Sequence, residues 1–223
     1  NMENQAAFTF DPKVAYRIVT DSYNGALKSA INIKVDAPEE DKTEDWVWVR
    51  GFKGTDANMC CRDKQYELNK VYEMDGDIEI CKKGYHLCDM LSDVFYHYRI
   101  EKGNRFFEVS ALVRRSEYEN MIKTRTSPSR TLRAIYKGDN DKLVAKSIIF
   151  LRELSADEVF DALDKTQYTD WTEADKKEAM ASSIGRVRDK IRVKRLIELG
   201  YNEIFAKWLV SDGRFDAAYA VGN

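Results

Sequence analysis

Phe106-Phe107-Glu108-Val109-Ser110-Ala111-Leu112-Val113 is the stretch on which the fold class turns. Phe107, Val109, Ala111 and Val113 are all apolar and fall on every second position, with Phe106, Glu108, Ser110 and Leu112 between them. Successive side chains of a strand point to opposite faces, so this alternation predicts a strand with one face wholly on a core.

Working outward, Trp46-Val47-Trp48-Val49 reads as an earlier strand running into Gly51 and Gly54, and Leu143 to Leu151 as a last strong one, led in by Gly138-Asp139-Asn140-Asp141. Between them, Tyr66 to Tyr72 reads as extended, Asp75-Gly76-Asp77 as a turn, and Ile78-Glu79-Ile80 as a short strand. Ser92 to Tyr98 is expected to make two helical turns, with Asp93 near the favoured N-terminal end. Upstream, Val14 to Val19 reads as a strand, Ala26 to Ile33 as helix or strand, and the acidic run Asp36 to Asp45 as a linker.

After residue 154 the period changes from two to between three and four. Ser155-Ala156-Asp157-Glu158 fits a capping box, with Val159, Phe160 and Leu163 as its apolar stripe. Thr172 is expected to cap one long helix through Leu199, with Met180, Ile184, Val187 and Ile191 on a single face and Gly200 as its stop. A short helix from Glu203 to Val210 and an Ala-rich end follow. Strands first and helices last predict an α+β protein: a mixed, mainly antiparallel sheet domain followed by a C-terminal helical region. The expected divisions are an N-terminal segment and linker (1–45), an α+β core (46–154) and a helical region (155–223).

Composition narrows the function classes. The 223 residues are 43% hydrophobic and 33% charged, a foldable mixture, and the net charge of −2 lacks the excess of a general nucleic-acid binder. No apolar run approaches the roughly 20 residues of a membrane span. The start, Asn1 to Gln5, has neither the basic nor the apolar region of an export signal, so a cytoplasmic location is expected. Cys60, Cys61, Cys81 and Cys88 then read as reduced thiols or metal ligands rather than a disulfide framework.

Between residues 50 and 98 the chain carries an ordered set of motifs. They are Arg50-Gly51-Phe52-Lys53-Gly54, Cys61-Arg62, Gln65-Tyr66-Glu67, Asp75-Gly76-Asp77-Ile78, Gly84-Tyr85-His86-Leu87-Cys88 and Asp93-Val94-Phe95. This order resembles a domain of unknown function found in phages, prophages and gut bacteria, and the resemblance extends in kind over about 47–160. Leu91-Ser92 stands where that family commonly has a proline, and Asp63-Lys64 where it tends to have glycine-phenylalanine. The resemblance implies no known activity; that family context, the lack of a convincing catalytic set and a wealth of charge and tyrosine together lead to the expectation of a phage or prophage accessory protein that binds a host macromolecule without catalysis, counter-defence being one form of that role. A host protein or complex is the expected partner.

Three constellations carry candidate chemistry. Cys61, Cys81, His86 and Cys88 are four N/S side chains of the kind zinc takes, although knuckle-type pairs two to four apart are lacking except for His86 with Cys88. The alternative is buried thiols and a hydrogen-bonded histidine, with no metal and no cofactor. Cys88 beside His86 or His97 is the local option for a thiol nucleophile.

Secondly, Gly84 to Cys88, a short helix and the strand from Phe106 resemble the order found in ADP-ribosyltransferases. That resemblance implies NAD as cofactor, with Arg50 (or Arg17), Tyr85, Glu117 and Glu119 as catalytic residues. The chain lacks the family's serine-threonine-serine strand, and the plain reading of Glu117-Tyr118-Glu119 is a solvated loop.

Thirdly, residues 186 to 195 hold six positive charges in ten, and Arg186, Lys190 and Lys194 line one helical face. Such a stripe suits nucleic-acid phosphates or an acidic protein surface; its plain reading is a solvated face. With Tyr66, Tyr85 and His86, these three basic residues make up the candidate binding set.

Overall fold

A β-branched, aromatic-rich run continues through both early glycines, so the first strand is longer than its apolar opening. The computed structural model describes residues 45–78, 83–126 and 142–222. Within these, β1 (Trp46–Thr55), β6 (Arg105–Arg114) and β7 (Leu143–Glu153) form an antiparallel centre, β6 pairing with β1 on one side and β7 on the other. Strand β4 (Val71–Glu73) and strand β5 (Tyr85–Leu87) both pair antiparallel with β7. Cys60–Cys61 (β2) and Lys64–Gln65 (β3) form a separate two-stranded hairpin.

The expected alternation is present: Phe107, Val109, Ala111 and Val113 lie in one buried cluster with Val49, Tyr85, Leu87, Ala145, Ile148 and Phe150. Tyr66 stacks on Phe150 at 4.6 Å between ring centroids and meets Tyr72 edge-on at 5.0 Å. Burying one such side chain contributes about 1.5–3 kcal/mol, so this face dominates the unit's stability. The opposite face is more polar. There Glu108 accepts from Arg50 and, at 2.7 Å, from Arg152 Nε, with Trp48 and Ser110 buried nearby in the strand pattern.

After β5 the chain turns back to β1. Phe52 N donates to Cys88 O at 2.7 Å and Cys88 N to Phe52 O at 2.9 Å. Since β5 already pairs with β7, this bridge joins the two ends of the path β1-β6-β7-β5. It depends on Gly51: a Cβ there would lie 2.6 Å from Cys88 O and 2.8 Å from Leu87 Cδ1. The short helix α1 (Leu91–Val94) follows, and helix α2 (Arg115–Thr126) runs on from β6, burying Met121 in the same core.

The helices α3 (Ala156–Asp161), α4 (Glu173–Ala181), α5 (Ile184–Glu198), α6 (Glu203–Ser211) and α7 (Phe215–Gly222) form a second compact unit that also takes in Ile100–Asn104. Leu196, Ala206, Leu209, Val210, Phe215 and Ala218 pack as one cluster, and Phe160, Tyr168 and Trp171 as an aromatic group. The first unit comprises the described residues up to Arg99 together with those from Arg105 to Ser155.

The α+β class is as the sequence predicts, with several boundaries corrected. The single helix expected from Thr172 to Leu199 is two helices, α4 and α5. Thr172 caps α4 through a full capping box with Asp175, but Ser182 leaves helical geometry and Ser183 caps a new start by accepting from Arg186 N. Two adjacent serines compete for backbone groups and break a helix that the apolar spacing alone would continue. Tyr66 to Tyr72 is strand only from Val71, and the helix expected over Ser92 to Tyr98 is a single turn. Glu117 and Glu119 sit on α2, not in a loop. The segments expected over 14–19, 26–33, 36–44, 79–80 and 138–141 lie outside the described residues.

Candidate functional site

Lysine 53 is the residue that the alternation makes conspicuous once the register is known. In β1 its parity is that of Val47 and Val49, and its cross-strand partner is the buried Phe107. A lysine therefore points to the apolar side of the sheet, and only 6% of it is exposed. Its Nζ donates to His86 O at 2.6 Å, across the same β1–β5 junction that the Phe52–Cys88 bridge closes.

The space in front of this amine is a cavity of about 500 Å³. One wall is β1 around Phe52 to Gly54, another is Gly84 to Cys88, and a third is the β2–β3 hairpin with Tyr66. His97, Tyr98 and Lys142 complete it.

Each wall has a local reason. The hairpin turns at Arg62-Asp63, with Arg62 at φ 56°, so Cys61 and Lys64 are cross-strand partners that both reach the cavity. Lys64 holds the hairpin down: its Nζ lies 3.1 Å from the Tyr85 hydroxyl, 5.0 Å from the Tyr85 ring centroid and 4.8 Å from that of Tyr72. Tyr98 donates its hydroxyl to Cys61 Sγ at 2.9 Å. Its ring can lie there because residue 54 is glycine; a Cβ would sit 2.7 Å from Tyr98 Cβ.

The electrostatics follow from burial. The Lys53 amine is held below the ordinary lysine range, first by desolvation, with nearby Arg62 acting in the same direction. The thiols of Cys61 and Cys88 work the other way. His86, half-buried, is pushed down to about 4, first by burial and then by the positive charges of Lys53 and Lys142. Burial pushes the hydroxyls of Tyr66 and Tyr98 up, so both remain protonated donors. Among the described residues, the basic lining is Lys53, Arg62, Lys64 and Lys142 with the two histidines, against the single carboxylate of Asp63. Such a lining favours an anion, and the tyrosine hydroxyls and the Lys53 amine supply directed donors for its oxygens.

Of the candidate binding set, Tyr66, Tyr85 and His86 line the cavity, and Cys61, Cys88 and His97 from the thiol and metal readings join them. The transferase residues Arg50, Glu117 and Glu119 do not. Arg50 has the parity of Trp48 and pairs with Glu108 on the other face of the sheet. Glu117 and Glu119 are exposed on α2, Glu117 lying 3.8 Å from Arg114, and neither lines the cavity. The transferase set of Arg50, Tyr85, Glu117 and Glu119 is therefore not gathered into one cleft. Of the zinc set, Cys61, His86 and Cys88 line the cavity while Cys81 lies outside the described residues. No group of three His, Cys, Asp or Glu side chains among the described residues is arranged to hold a metal ion. Cys60, Cys61 and Cys88 are not in disulfides.

The basic stripe lies on α5 in the helical unit. Lys190 pairs with Glu178 at 3.1 Å, Arg195 pairs with Asp170, and Arg188 bonds the Tyr168 hydroxyl at 3.3 Å. Two of the six positive charges, Lys190 and Arg195, thus have carboxylate partners within their own unit. No helix among the described residues is long and apolar enough to cross a membrane.

Lys53, Arg62, Lys64, Tyr98 and Lys142 were not among the candidate site residues read from sequence. For Lys53 a signal exists, its even spacing from Val47 and Val49. For the others, membership follows from how the hairpin folds over the sheet, which no local pattern encodes.

Residues 49–136 match a family model described as a domain of unknown function (DUF7666). The matched stretch contains every cavity-lining residue except Lys142. No curated protein and no solved structure matches the chain.

Proposed function

We propose that this protein acts by binding rather than by catalysis, and that the cavity in front of Lys53 receives a small anionic group. The observation that carries this reading is the composition of the wall. Among the described residues, Arg62, Lys64 and Lys142, the Lys53 amine and three tyrosines surround about 500 Å³, against one carboxylate. Pockets of this size suit ligands up to a nucleotide, with a few polar groups fixing orientation.

In the phage or prophage setting that the motif order suggests, the ligand is a host molecule and the protein an accessory factor, with counter-defence as one use. The anionic group is either free or displayed on a host macromolecule; both would present phosphate or carboxylate oxygens to the same donors. Arg62 and Lys142 give first attraction, and the inner donors give geometry.

Calorimetric titration with inorganic phosphate and with adenosine monophosphate tests the reading. Saturable binding that weakens with salt and is lost in Lys53→Met and Arg62→Ala supports it. Absence of binding by either anion at millimolar concentration overturns it. Co-purification of a nucleotide or phosphorylated peptide would identify the source of the group.

A further inference from the structure

A nearly buried lysine normally meets a carboxylate, because an unpaired charge in an apolar wall is costly. Among the described residues, Lys53 instead meets a backbone carbonyl, its Nζ donating to His86 O at 2.6 Å, with Cys61 and Cys88 lining the same cavity. The carboxylate that lines the cavity, Asp63, is exposed on the hairpin turn. Lys64 is held over the tyrosine rings, and Arg62 and Lys142 also line the space.

An amine has two N–H groups and one lone pair. With one N–H on the His86 carbonyl, an N–H and the lone pair remain. Burial of Lys53 in an apolar wall disfavours the ammonium, and the uncharged amine is the form that attacks carbonyl carbon.

We propose that Lys53 is a nucleophile that forms a reversible imine with an aldehyde or ketone carried by an anionic ligand of the cavity. The inference rests on the binding reading above and adds the class of ligand, a small carbonyl compound bearing a carboxylate or phosphate. In the step, the Nζ lone pair forms a C–N bond to the carbonyl carbon while the carbonyl π pair moves to oxygen. The two amine protons then leave with that oxygen as one water, and C=N remains. The ligand's charge would be matched by Arg62 and Lys142, and the Tyr98 hydroxyl, engaged with Cys61, keeps that sulfur in place beside the amine.

Glyoxylate, a carboxylate-bearing aldehyde, is the probe, with cyanoborohydride as the hydride source that reduces the imine to a stable secondary amine. The full chain is treated at pH 7 and mapped by peptide mass spectrometry. Lys53 is expected to be labelled about tenfold or more faster than the exposed Lys70, Lys177 and Lys207. Labelling of Lys53 no faster than these three overturns the proposal. Lys53→Arg, which keeps a cation and a long stem, should lose the label at 53 and keep the fold by circular dichroism. Propionaldehyde, which is uncharged, forms a second arm. If it labels Lys53 selectively while phosphate neither binds nor protects, the imine stands and the anion reading falls. If phosphate binds but neither aldehyde labels Lys53, the imine falls alone.

Discussion

Replacing Gly51 with alanine should open the junction that closes the sheet, and the cost can be worked from the contacts. The added Cβ would stand 2.6 Å from Cys88 O and 2.8 Å from Leu87 Cδ1. The carbonyl is backbone and cannot rotate away, and it accepts the 2.7 Å bond from Phe52 N. Relief therefore requires Cys88 to move off β1, taking both Phe52–Cys88 hydrogen bonds with it. Two such bonds are worth about 1 kcal/mol each, and overpacking adds about 1–3 kcal/mol. The expected loss is about 3–5 kcal/mol, a large share of the 5–15 kcal/mol typical of a whole domain. With a urea slope near 2 kcal/mol/M, the midpoint should fall by about 2 M. Urea unfolding followed by tryptophan fluorescence measures the midpoint, and hydrogen exchange at the Phe52 and Cys88 amides locates the damage. Gly185→Ala is the matched control: nothing lies within 4 Å of its Cβ, and in the first turn of α5 it should stabilise by about 0.5–1 kcal/mol. A loss below about 1 kcal/mol at Gly51, or normal protection of the Phe52 and Cys88 amides in that variant, would refute the closed-junction reasoning.

Stability should also fall on acidification through His86. Its folded pKa of about 4 lies below the ordinary 6.5, so between those values the unfolded chain binds a proton that the folded one does not. The contribution is complete above pH 6.5 and is lost as pH falls toward 4; halved for a half-buried ring, it amounts to about 1–2 kcal/mol. Chemical denaturation of wild type and His86→Gln at pH 7 and pH 4.5 checks this, the variant losing less; equal losses in both would sink the assignment. In the helical unit, Thr172→Ala removes a capping box and should cost about 1 kcal/mol, read as lower helicity and earlier melting. No change in either would mean that the cap is dispensable.

The amino-acid sequence alone determined the class and the order of this protein's elements. Period-two alternation through Phe107 to Val113 and the later helical spacing are local patterns, and burial of an apolar face enforces them wherever the chain goes. It also marked Tyr66, Tyr85 and His86. It misjudged the helix from Thr172 because Ser182 and Ser183 can either ride in a helix or cap one, and only the local backbone geometry chooses.

Tertiary structure alone decided which residues share a site. Arg50 and Lys53 are three apart and both basic, yet strand parity sends one to Glu108 and the other into the cavity. Which parity faces the core depends on what each face packs against, a property of the paired sheet rather than of β1. The cavity itself exists because the hairpin bearing Cys61 and Lys64 folds over residues twenty and more positions away, and contacts of that range leave no periodic trace in a single chain.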